Sequence, residues 1–356
     1  MSVDFHPLRV LEVSPLTDDS VAVTFDVPDE LADRFRFIPG QHVTLRAMIG
    51  GEDVRRSYSI CSTANGGKLR VGIKRLPGGA FSSFATADLA AGDVVEATTP
   101  SGEFTIDPDP NAARHRVAIA AGSGITPVLS LVATTLEAEQ GSSWTLLLGN
   151  RTAGSVMFLE ELEGLKDRYP DRFQLLHVLS REGSDLPLLS GRIDEGKIRF
   201  VHDRLLGGRP VDSWYLCGPY DMVMMARRAL GDLGVDEGSI HDELFFAGPV
   251  DPASLPPEPL PGEGSVDLTV ILDGRAVETR MTPETSILDA ALRVRPELPF
   301  SCKGGMCASC KAHIEEGEVR MSKNYALVDS ELEAGYVLTC QSHPLTDRIV
   351  VRYDHR

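Results

Sequence analysis

Four cysteines near the end of the chain have a spacing that suits an iron–sulfur cluster. Cys302, Cys307 and Cys310 follow the pattern C-x4-C-x2-C, and Cys340 comes thirty residues later. This order is typical of a plant-type [2Fe–2S] site, because two sulfide-bridged iron atoms take four soft sulfur ligands. The two glycines inside the first interval let the loop turn its amides toward the sulfur atoms. The sequence therefore predicts that these four cysteines are metal ligands.

Other uses of four cysteines remain open from the sequence. A structural zinc site favours paired short spacings, and disulfides are rare among cytosolic proteins. A zinc-binding regulatory protein with a vestigial flavin site is therefore the alternative from a different functional class. A free-standing diaphorase, for which the last ninety residues would be dispensable, is a third possibility.

A short motif in the first third of the chain suits a flavin nucleotide. Arg56-Ser57-Tyr58-Ser59 lies on a predicted strand, and alternation places Arg56 and Tyr58 on one face. A guanidinium can grip a pyrophosphate while an aromatic ring packs on a flavin. The competing interpretation is an ordinary, half-buried barrel strand.

A second phosphate-competent feature follows about twenty residues later. The sequence GGAFSS over residues 78–83 opens a predicted helix, whose free amides and the hydroxyls of Ser82 and Ser83 suit a phosphate. A plain capped helix is the alternative. Together the two features predict flavin contacts from Arg56, Tyr58, Ser59, Ile73, Lys74, Gly79, Ala80, Phe81 and Ser82.

Two glycine-containing turns predict a nicotinamide nucleotide site. Gly122, Gly124 and Thr126 form a turn between a strand and a helix, although a proline stands where the third glycine of G-x-G-x-x-G would be. Such a turn suits the approach of a dinucleotide, and Thr126 could touch nicotinamide or flavin. The sequence Cys217-Gly218-Pro219 predicts a second glycine-containing turn after a strand. Two such turns at the carboxyl ends of parallel strands mark one ligand crevice. Cys217 could equally be a small buried hydrophobe.

Further residues of this region are candidates for specificity and for hydride chemistry. Arg151 ends the predicted second strand, where it could hold a 2′-phosphate and favour NADPH, and Ser155 could add a donor. Glu243 and Phe245 close the domain, with Phe246 beside them, and a phenylalanine here could cover the flavin. A solvated arginine and simple core packing are the alternatives. The predicted catalytic set is Tyr58, Thr126, Cys217, Glu243 and Phe245.

The pattern of apolar residues predicts three kinds of domain. Short strands at 8–13, 21–27, 42–46, 58–61, 69–74 and 93–97 indicate an antiparallel β-barrel over residues 1–110. Strand-length runs at 117–121, 145–149, 173–179 and 214–217 alternate with helical stretches, which indicates an α/β parallel-sheet domain over 111–246. A proline-rich linker over 247–265 then predicts a semi-rigid tether. A hairpin, a short helix and a last strand over 266–356 indicate a small α+β domain.

Composition limits the classes of function. The 356 residues exceed one ordinary core, and a formal net charge of −17 argues against a nucleic-acid partner. No leader-like apolar segment follows Met1 and no apolar run reaches membrane-spanning length, so we expect a cytoplasmic protein without a membrane partner. The nine histidines are scattered without ligand spacing, and none is assigned to a metal.

These motifs together resemble the ferredoxin–NADP⁺ reductase superfamily with a plant-type ferredoxin at the C-terminus. Within it, the chain is similar to the PaaE family, the reductase subunits of ring-1,2-phenylacetyl-CoA epoxidases. The similarity is carried by residues 55–61 (RRSYSIC), 149–152 (GNRT), 190–194 (SGRID), 286–291 (SILDAA), 302–305 (CKGG) and 335–341 (GYVLTCQ).

The resemblance implies a fold, cofactors and a partner. The last domain would be a β-grasp ferredoxin, and the flavin would be FAD rather than FMN. Electrons would pass from NADPH, or NADH, through FAD and the [2Fe–2S] cluster to the di-iron oxygenase of a multicomponent monooxygenase. The reductase of 3-ketosteroid 9α-hydroxylase, whose partner is a Rieske oxygenase, has the same order of modules and is the competing identification.

Overall fold

The computed structural model of the chain describes residues 4–66, 68–183, 186–245 and 265–354. These residues form two compact units, of which the first holds two large sheets and the second holds the remaining two. The predicted tether lies outside the described residues except for Ser265.

The first sheet is the predicted antiparallel barrel. Its strands are β1 (His6–Thr17), β2 (Ser20–Asp26), β3 (His42–Ile49), β4 (Glu52–Ser59), β5 (Leu69–Lys74) and β6 (Val94–Ala97), in the order β4-β3-β6-β1-β2-β5. A bridge between Ile60 and Val71 joins the chain just after β4 to β5 and closes the sheet. Alternate residues such as Leu8, Val10 and Val23 fill the interior, as the period of a strand requires. Helix α1 (Ala80–Ala87) packs against this core through Phe81.

The second sheet is parallel, as predicted. It contains β7 (His115–Ala121), β8 (Ser143–Asn150), β9 (Phe173–Leu179), β10 (Ser213–Pro219) and β11 (Ile240–Phe245), in the order β11-β10-β7-β8-β9. The apolar-run criterion missed β11, because His, Asp and Glu occupy the centre of that strand. The hydrogen bonds to β10 make this segment a strand, although its composition does not indicate one.

Helices cover both faces of this parallel sheet. Helices α2 (Ile125–Ala138) and α3 (Leu159–Arg168) share one apolar core with one face of the sheet, and α4 (Glu195–Phe200) and α5 (Tyr220–Asp232) share the other. This is the doubly covered arrangement that parallel strands require. No helix of the described residues is long and apolar enough to cross a bilayer.

A buried ion pair ties this sheet to α2. The guanidinium of Arg116 on β7 donates two hydrogen bonds, of 2.7 and 3.2 Å, to the carboxylate of Glu139, and both side chains are almost completely buried. Burial opposes ionisation of Glu139, yet the bonds from Arg116 keep its pKa below the usual value. Arg172 donates to the carbonyl of Leu136 in the last turn of α2, and to those of Glu139 and Ser142 in the connection that follows.

The second unit contains a five-stranded mixed sheet with one helix packed on it. Its main elements are β12 (Val266–Leu272), β13 (Arg275–Met281), α6 (Ile287–Leu292), β14 (Lys311–Glu316), β15 (Val319–Met321), α7 (Asp329–Glu333), β16 (Tyr336–Leu338), β17 (Ser342–Pro344) and β18 (Arg348–Arg352). The order is β13-β12-β18-β14-β16, with β12 and β18 parallel, which is a β-grasp arrangement. Strands β15 and β17 pair separately.

Local sequence signals account for the start of this unit. Asp273 and Gly274 both have positive φ, as the tight turn of a two-residue hairpin requires. Ser286 caps α6 by accepting a hydrogen bond of 3.1 Å from the amide of Asp289. The predicted hairpin and the predicted helix start are therefore confirmed.

Substitution Arg116→Leu tests the buried ion pair. We expect the free energy of unfolding to fall by about 3–5 kcal/mol, because Glu139 would be left as an uncompensated buried charge. Denaturant unfolding followed by tryptophan fluorescence measures this, since Trp144 on β8 and Trp214 on β10 both report on the parallel sheet. The matched control is Arg9→Leu, which breaks the exposed pair with Asp26 and should cost less than about 1 kcal/mol. Equal losses of unfolding free energy in the two variants would contradict a stabilising role for the buried pair.

Candidate active site and cluster loop

The two glycine-containing turns meet at the carboxyl edge of the parallel sheet. A Cβ placed on Gly124 would lie 2.2 Å from the carbonyl oxygen of Cys217, so any side chain at this position would force the turns apart. Gly218 has a φ of +151°, and a Cβ there would approach the backbone nitrogen of Ala121 to 3.2 Å. The predicted crevice between β7 and β10 therefore rests on backbone-to-backbone contact.

Thr126, which is predicted to touch nicotinamide or flavin, is enclosed by its own turn and by the barrel. It is almost completely buried, and its hydroxyl donates a hydrogen bond of 2.9 Å to the carbonyl of Ser123 in its own turn. Its methyl group faces the barrel, because a Cβ on Gly72 of β5 would lie 2.6 Å from it. Thr126 therefore shapes the turn and packs the parallel sheet against the barrel.

Three predicted residues from three strands meet beside the crevice. Glu243 on β11 lies opposite Cys217 on β10 in the parallel register, and the hydroxyl of Ser59 at the end of β4 donates a hydrogen bond of 3.2 Å to Glu243 Oε2. Burial raises the pKa of Glu243 to about 7, and the bond from Ser59 opposes this only in part. Burial also raises the pKa of Cys217 well above its usual value. The carboxyl of Glu243 can thus gain and lose a proton near neutral pH while the thiol of Cys217 stays neutral.

The predicted flavin strand has an aromatic pair beside it. The rings of Tyr58 and Phe81 lie 5.5 Å apart between centroids, and Phe81 is fully buried in the barrel core. Among the described residues no side chain caps the N-terminus of α1, which leaves its first amides without a side-chain acceptor there. This fits the binding of a phosphate. Ser82 does not share that availability, since its hydroxyl accepts from the amide of Leu76 and donates to the carbonyl of Gly79.

The remaining predicted flavin residues differ in what they can offer. Ile73 is fully buried in the barrel core, so only its backbone is available to a ligand. Lys74 forms an ion pair of 3.0 Å with Asp19. Arg56 donates a bond of 2.6 Å to the carbonyl of its neighbour Arg55. Gly79 caps α1, and Ala80 is its first helical residue.

The predicted 2′-phosphate residues lie after the end of β8. Arg151 is exposed there, and its backbone carbonyl accepts a bond of 2.8 Å from the amide of Arg181. The Ser155 hydroxyl accepts from the amide of Thr152 and donates to its carbonyl, which closes the turn. Arg151 is therefore the accessible donor of the two. Phe245 is aligned with Pro219 at the end of β11, and Phe246 lies outside the described residues.

The cluster loop directs backbone amides at sulfur. The amides of Gly304 and Met306 donate to Cys302 Sγ at 3.3 and 3.4 Å, and the amide of Cys302 donates to Cys307 Sγ at 3.4 Å. Positive φ angles at Gly305 and Ala308 make this winding possible. A hydrogen bond from the Cys307 thiol, together with the amide bonds, lowers the pKa of Cys302 to about 5.

The four thiols form two pairs. Cys302 interacts with Cys307, and Cys310 interacts with Cys340. Four soft thiol donors arranged in two pairs fit a binuclear iron–sulfur cluster.

Sequence reasoning missed three residues that shape this site. Gly72, inside β5, leaves room for Thr126 and for the ring of Phe158, which itself has an unusual φ of +60°. A glycine in a strand interior was the available signal for a close approach. His42, the first residue of β3, lies 3.8 Å from Glu243, and nothing in its local sequence indicated this.

Comparison with protein families agrees with all three parts of the chain. The family model for an oxidoreductase FAD-binding domain matches residues 7–106, that for an oxidoreductase NAD-binding domain matches 118–228, and that for a 2Fe-2S iron-sulfur cluster binding domain matches 270–345. Together with the fold and the site, these matches define a flavin- and nicotinamide-dependent oxidoreductase with an iron–sulfur electron carrier in the same chain.

Relatives of known function extend over the whole length. The chain is 43% identical over 352 residues to the PaaE-type subunit of the 1,2-phenylacetyl-CoA epoxidase of Escherichia coli, covering 98% of each. It is 32% identical over 357 residues to the ferredoxin reductase component of the 3-ketosteroid-9-alpha-monooxygenase of Rhodococcus rhodochrous, covering 97% of this chain and 96% of the other. The chain thus belongs to the ferredoxin–NADP⁺ reductase superfamily, among the members with a C-terminal 2Fe-2S ferredoxin domain.

Solved structures share this architecture. Phthalate dioxygenase reductase matches with a TM-score of 0.64 at 23% identity, covering 98% of both chains, which supports the fold alone. The cytochrome P450 reductase of Amycolatopsis matches with a TM-score of 0.57 at 30% identity, covering 69% of this chain and 71% of that one.

Substitution Gly124→Ala tests the contact between the two turns. We expect weaker binding of the nicotinamide nucleotide, by at least about tenfold, because the added methyl group would push the Cys217 carbonyl away and widen the crevice. Flavin content per chain should stay unchanged, since the barrel is not altered. Equilibrium titration with NADP⁺ measures the binding. Gly164→Ala, in open space on α3, is the matched control and should bind as the native protein does.

Proposed function

We propose that this chain is the reductase that carries electrons from NADPH through FAD and the [2Fe–2S] cluster to the di-iron oxygenase of a phenylacetyl-CoA epoxidase. The observation that carries the proposal is the 43% identity to the E. coli protein over 98% of both chains. The 32% identity to the 3-ketosteroid monooxygenase reductase supports an oxygenase as the partner and is the basis of the competing identification. We place the protein in the cytoplasm, where the predicted oxygenase would also act.

The chain's own residues have distinct roles in this proposal. When bound, FAD would supply the conversion between two-electron hydride transfer from the nicotinamide and the one-electron transfer that the cluster requires. Arg56 and the N-terminus of α1 bind its phosphates, and Tyr58 packs on its ring. The turns at Gly122 and Cys217 bind the nicotinamide nucleotide, with Thr126 fixing the first of them.

Glu243 handles the proton of the reaction. Its pKa of about 7 lets the carboxyl gain and lose a proton at physiological pH, as an efficient acid–base group requires. Ser59 orients the carboxyl through its hydrogen bond to Oε2. Cys217 supplies a neutral, closely packed wall beside it. Phe245, at the end of the same strand, shields the crevice.

The four cysteines would bind the cluster from which electrons leave for the oxygenase. Cys302, Cys307, Cys310 and Cys340 would hold the cluster, and their thiols lie in two interacting pairs. The amide bonds to Cys302 Sγ stabilise negative charge on that ligand. Gln341 adds a donor 3.7 Å from Cys340 Sγ.

Reconstitution with oxygenases tests the identity of the partner. We expect NADPH-dependent turnover of phenylacetyl-CoA when the chain is combined with a phenylacetyl-CoA epoxidase oxygenase. The 3-ketosteroid 9α-hydroxylase oxygenase, supplied with its own steroid substrate, is the matched comparison and should turn over at least about tenfold more slowly. Faster steroid turnover would instead identify the chain as a reductase of 3-ketosteroid 9α-hydroxylase.

Substitution Cys340→Ser tests the electron exit. We expect loss of iron, labile sulfide and electron transfer to the oxygenase, because serine oxygen is a poor replacement for thiolate at iron. NADPH-dependent reduction of ferricyanide should continue, since the flavin site is intact. Cys61→Ser is the control: Cys61 is buried in the first unit and donates to the Arg70 carbonyl, a bond that serine can also make. Unchanged iron content in Cys340→Ser would refute the ligand assignment.

Substitution Arg151→Gln tests the preference for NADPH. Loss of one charge-assisted contact to the 2′-phosphate should raise KM for NADPH by roughly 10–100-fold. KM for NADH, which lacks that phosphate, should change less than about twofold, so the two cofactors serve as each other's control. Equal effects on both would show that Arg151 does not recognise the 2′-phosphate.

A further inference from the structure

His42 lies against the carboxyl group of Glu243. Its Nδ1 atom is 3.8 Å from Glu243 Oε1, whereas Ser59 binds the other oxygen, Oε2. The separation is longer than a hydrogen bond, and a small rotation of either side chain would close it. The two carboxylate oxygens therefore have different neighbours, a hydroxyl on one side and an imidazole on the other.

The strand and its neighbouring turn hold His42 at this place. The amide of His42 donates to the carbonyl of Ser101 at 2.8 Å, and the amide of Ser101 donates back at 3.0 Å. Gly102 has a φ of +121°, and a Cβ there would lie 2.9 Å from His42 Nδ1. Glycine at 102 thus leaves the space that the imidazole ring occupies.

Exposure distinguishes His42 from Ser59 and Cys217, the other neighbours of Glu243. Ser59 is 3% exposed and Cys217 is completely buried, so neither can pass a proton to bulk water. The side chain of His42 retains 19% of its exposure and that of Glu243 retains 21%. His42 is consequently the titratable neighbour of Glu243 that reaches solvent.

The pKa values of the two groups suit proton exchange between them near neutral pH. Burial lowers the pKa of His42, and burial raises the pKa of Glu243 to about 7, so a neutral imidazole faces a carboxyl that is partly protonated. Among the residues that the structure describes, the groups that face Glu243 are His42 from β3, Ser59 from β4 and the neutral thiol of Cys217 from β10. Asp242, next along β11, is paired with Arg227 on α5.

We propose that His42 is a positioning residue that relays protons between Glu243 and solvent. The proton leaves Glu243 Oε1, imidazole Nδ1 accepts it, and the imidazolium releases its Nε2 proton to water. Exchange with water then moves the remaining ring proton from Nδ1 to Nε2, so that Nδ1 can accept the next proton. The carboxylate that remains accepts the next proton from the crevice, and no electron is transferred in the relay. The inference rests on the role proposed above for Glu243.

The test measures proton release separately from electron transfer. Holoprotein reduced with one equivalent of NADPH is mixed with ferricyanide in weak buffer, and a pH-indicator dye is followed beside the flavin absorbance. In the native protein the two signals should coincide. In His42→Ala the dye signal should lag by about tenfold, because proton relay by a positioned group contributes at least this much. Added imidazole should shorten the lag in proportion to its concentration.

The control is another histidine that contacts a carboxylate. His202 Nδ1 lies 2.7 Å from Asp203, away from the crevice, and His202→Ala should release protons as the native protein does. A second readout needs no turnover. After transfer of oxidised holoprotein into D2O, the infrared carbonyl band of the Glu243 carboxyl, assigned by its loss in Glu243→Gln, should exchange about tenfold more slowly in His42→Ala.

The outcomes separate the two proposals. Coincident signals in His42→Ala, or a lag that imidazole does not shorten, would overturn the relay. If Glu243→Gln delays proton release while His42→Ala does not, Glu243 keeps its role and only the inference about His42 fails. If Glu243→Gln also releases protons without delay, the role of Glu243 itself fails.

Discussion

The contact between Gly124 and the carbonyl of Cys217 is the constraint on which the candidate active site depends. It lets two turns from different strands approach until backbone touches backbone, which no other residue type would permit. That approach sets the width of the crevice at the carboxyl edge of the sheet. It also fixes Cys217, and through the parallel register it fixes Glu243 beside it. The proposed nucleotide site and the proposed proton-exchange site therefore share one geometric origin.

The environment of Glu243 illustrates how burial creates chemistry from an ordinary residue. A carboxyl on a strand surface would be ionised at neutral pH, but here burial raises its pKa to about 7. Ser59 from the barrel holds one oxygen, and His42, also from the barrel, faces the other. The barrel thus contributes acid–base neighbours to a carboxyl that the parallel sheet carries, and the contact of Thr126 with Gly72 keeps these parts together.

The geometry of the cluster loop, unlike that of the crevice, is set mainly by residues close together in the sequence. Three of its four cysteines lie within nine residues, and the amide bonds to sulfur come from the same loop. Such a site can be recognised from spacing and glycine content, and the match of a 2Fe-2S family model to residues 270–345 agrees with that interpretation. The same holds for the hairpin at Asp273 and the cap at Ser286, where one or two residues determine the turn.

By itself the sequence predicted the class of each sheet, six barrel strands (the fourth at 58–61, whereas β4 spans Glu52–Ser59), four cluster cysteines and two glycine-containing turns. These depend on periodicity and on residue types with special backbone freedom, which are local properties. Only the tertiary structure decided that β11 is a strand, because its polar centre breaks the pattern and its pairing with β10 supplies the order. It also decided that the hydroxyl of Thr126 faces its own turn, that the side chain of Ile73 fills the core, and that His42 meets Glu243. The last contact joins residues about two hundred positions apart, and their proximity follows from packing the barrel on the sheet, which no local pattern encodes.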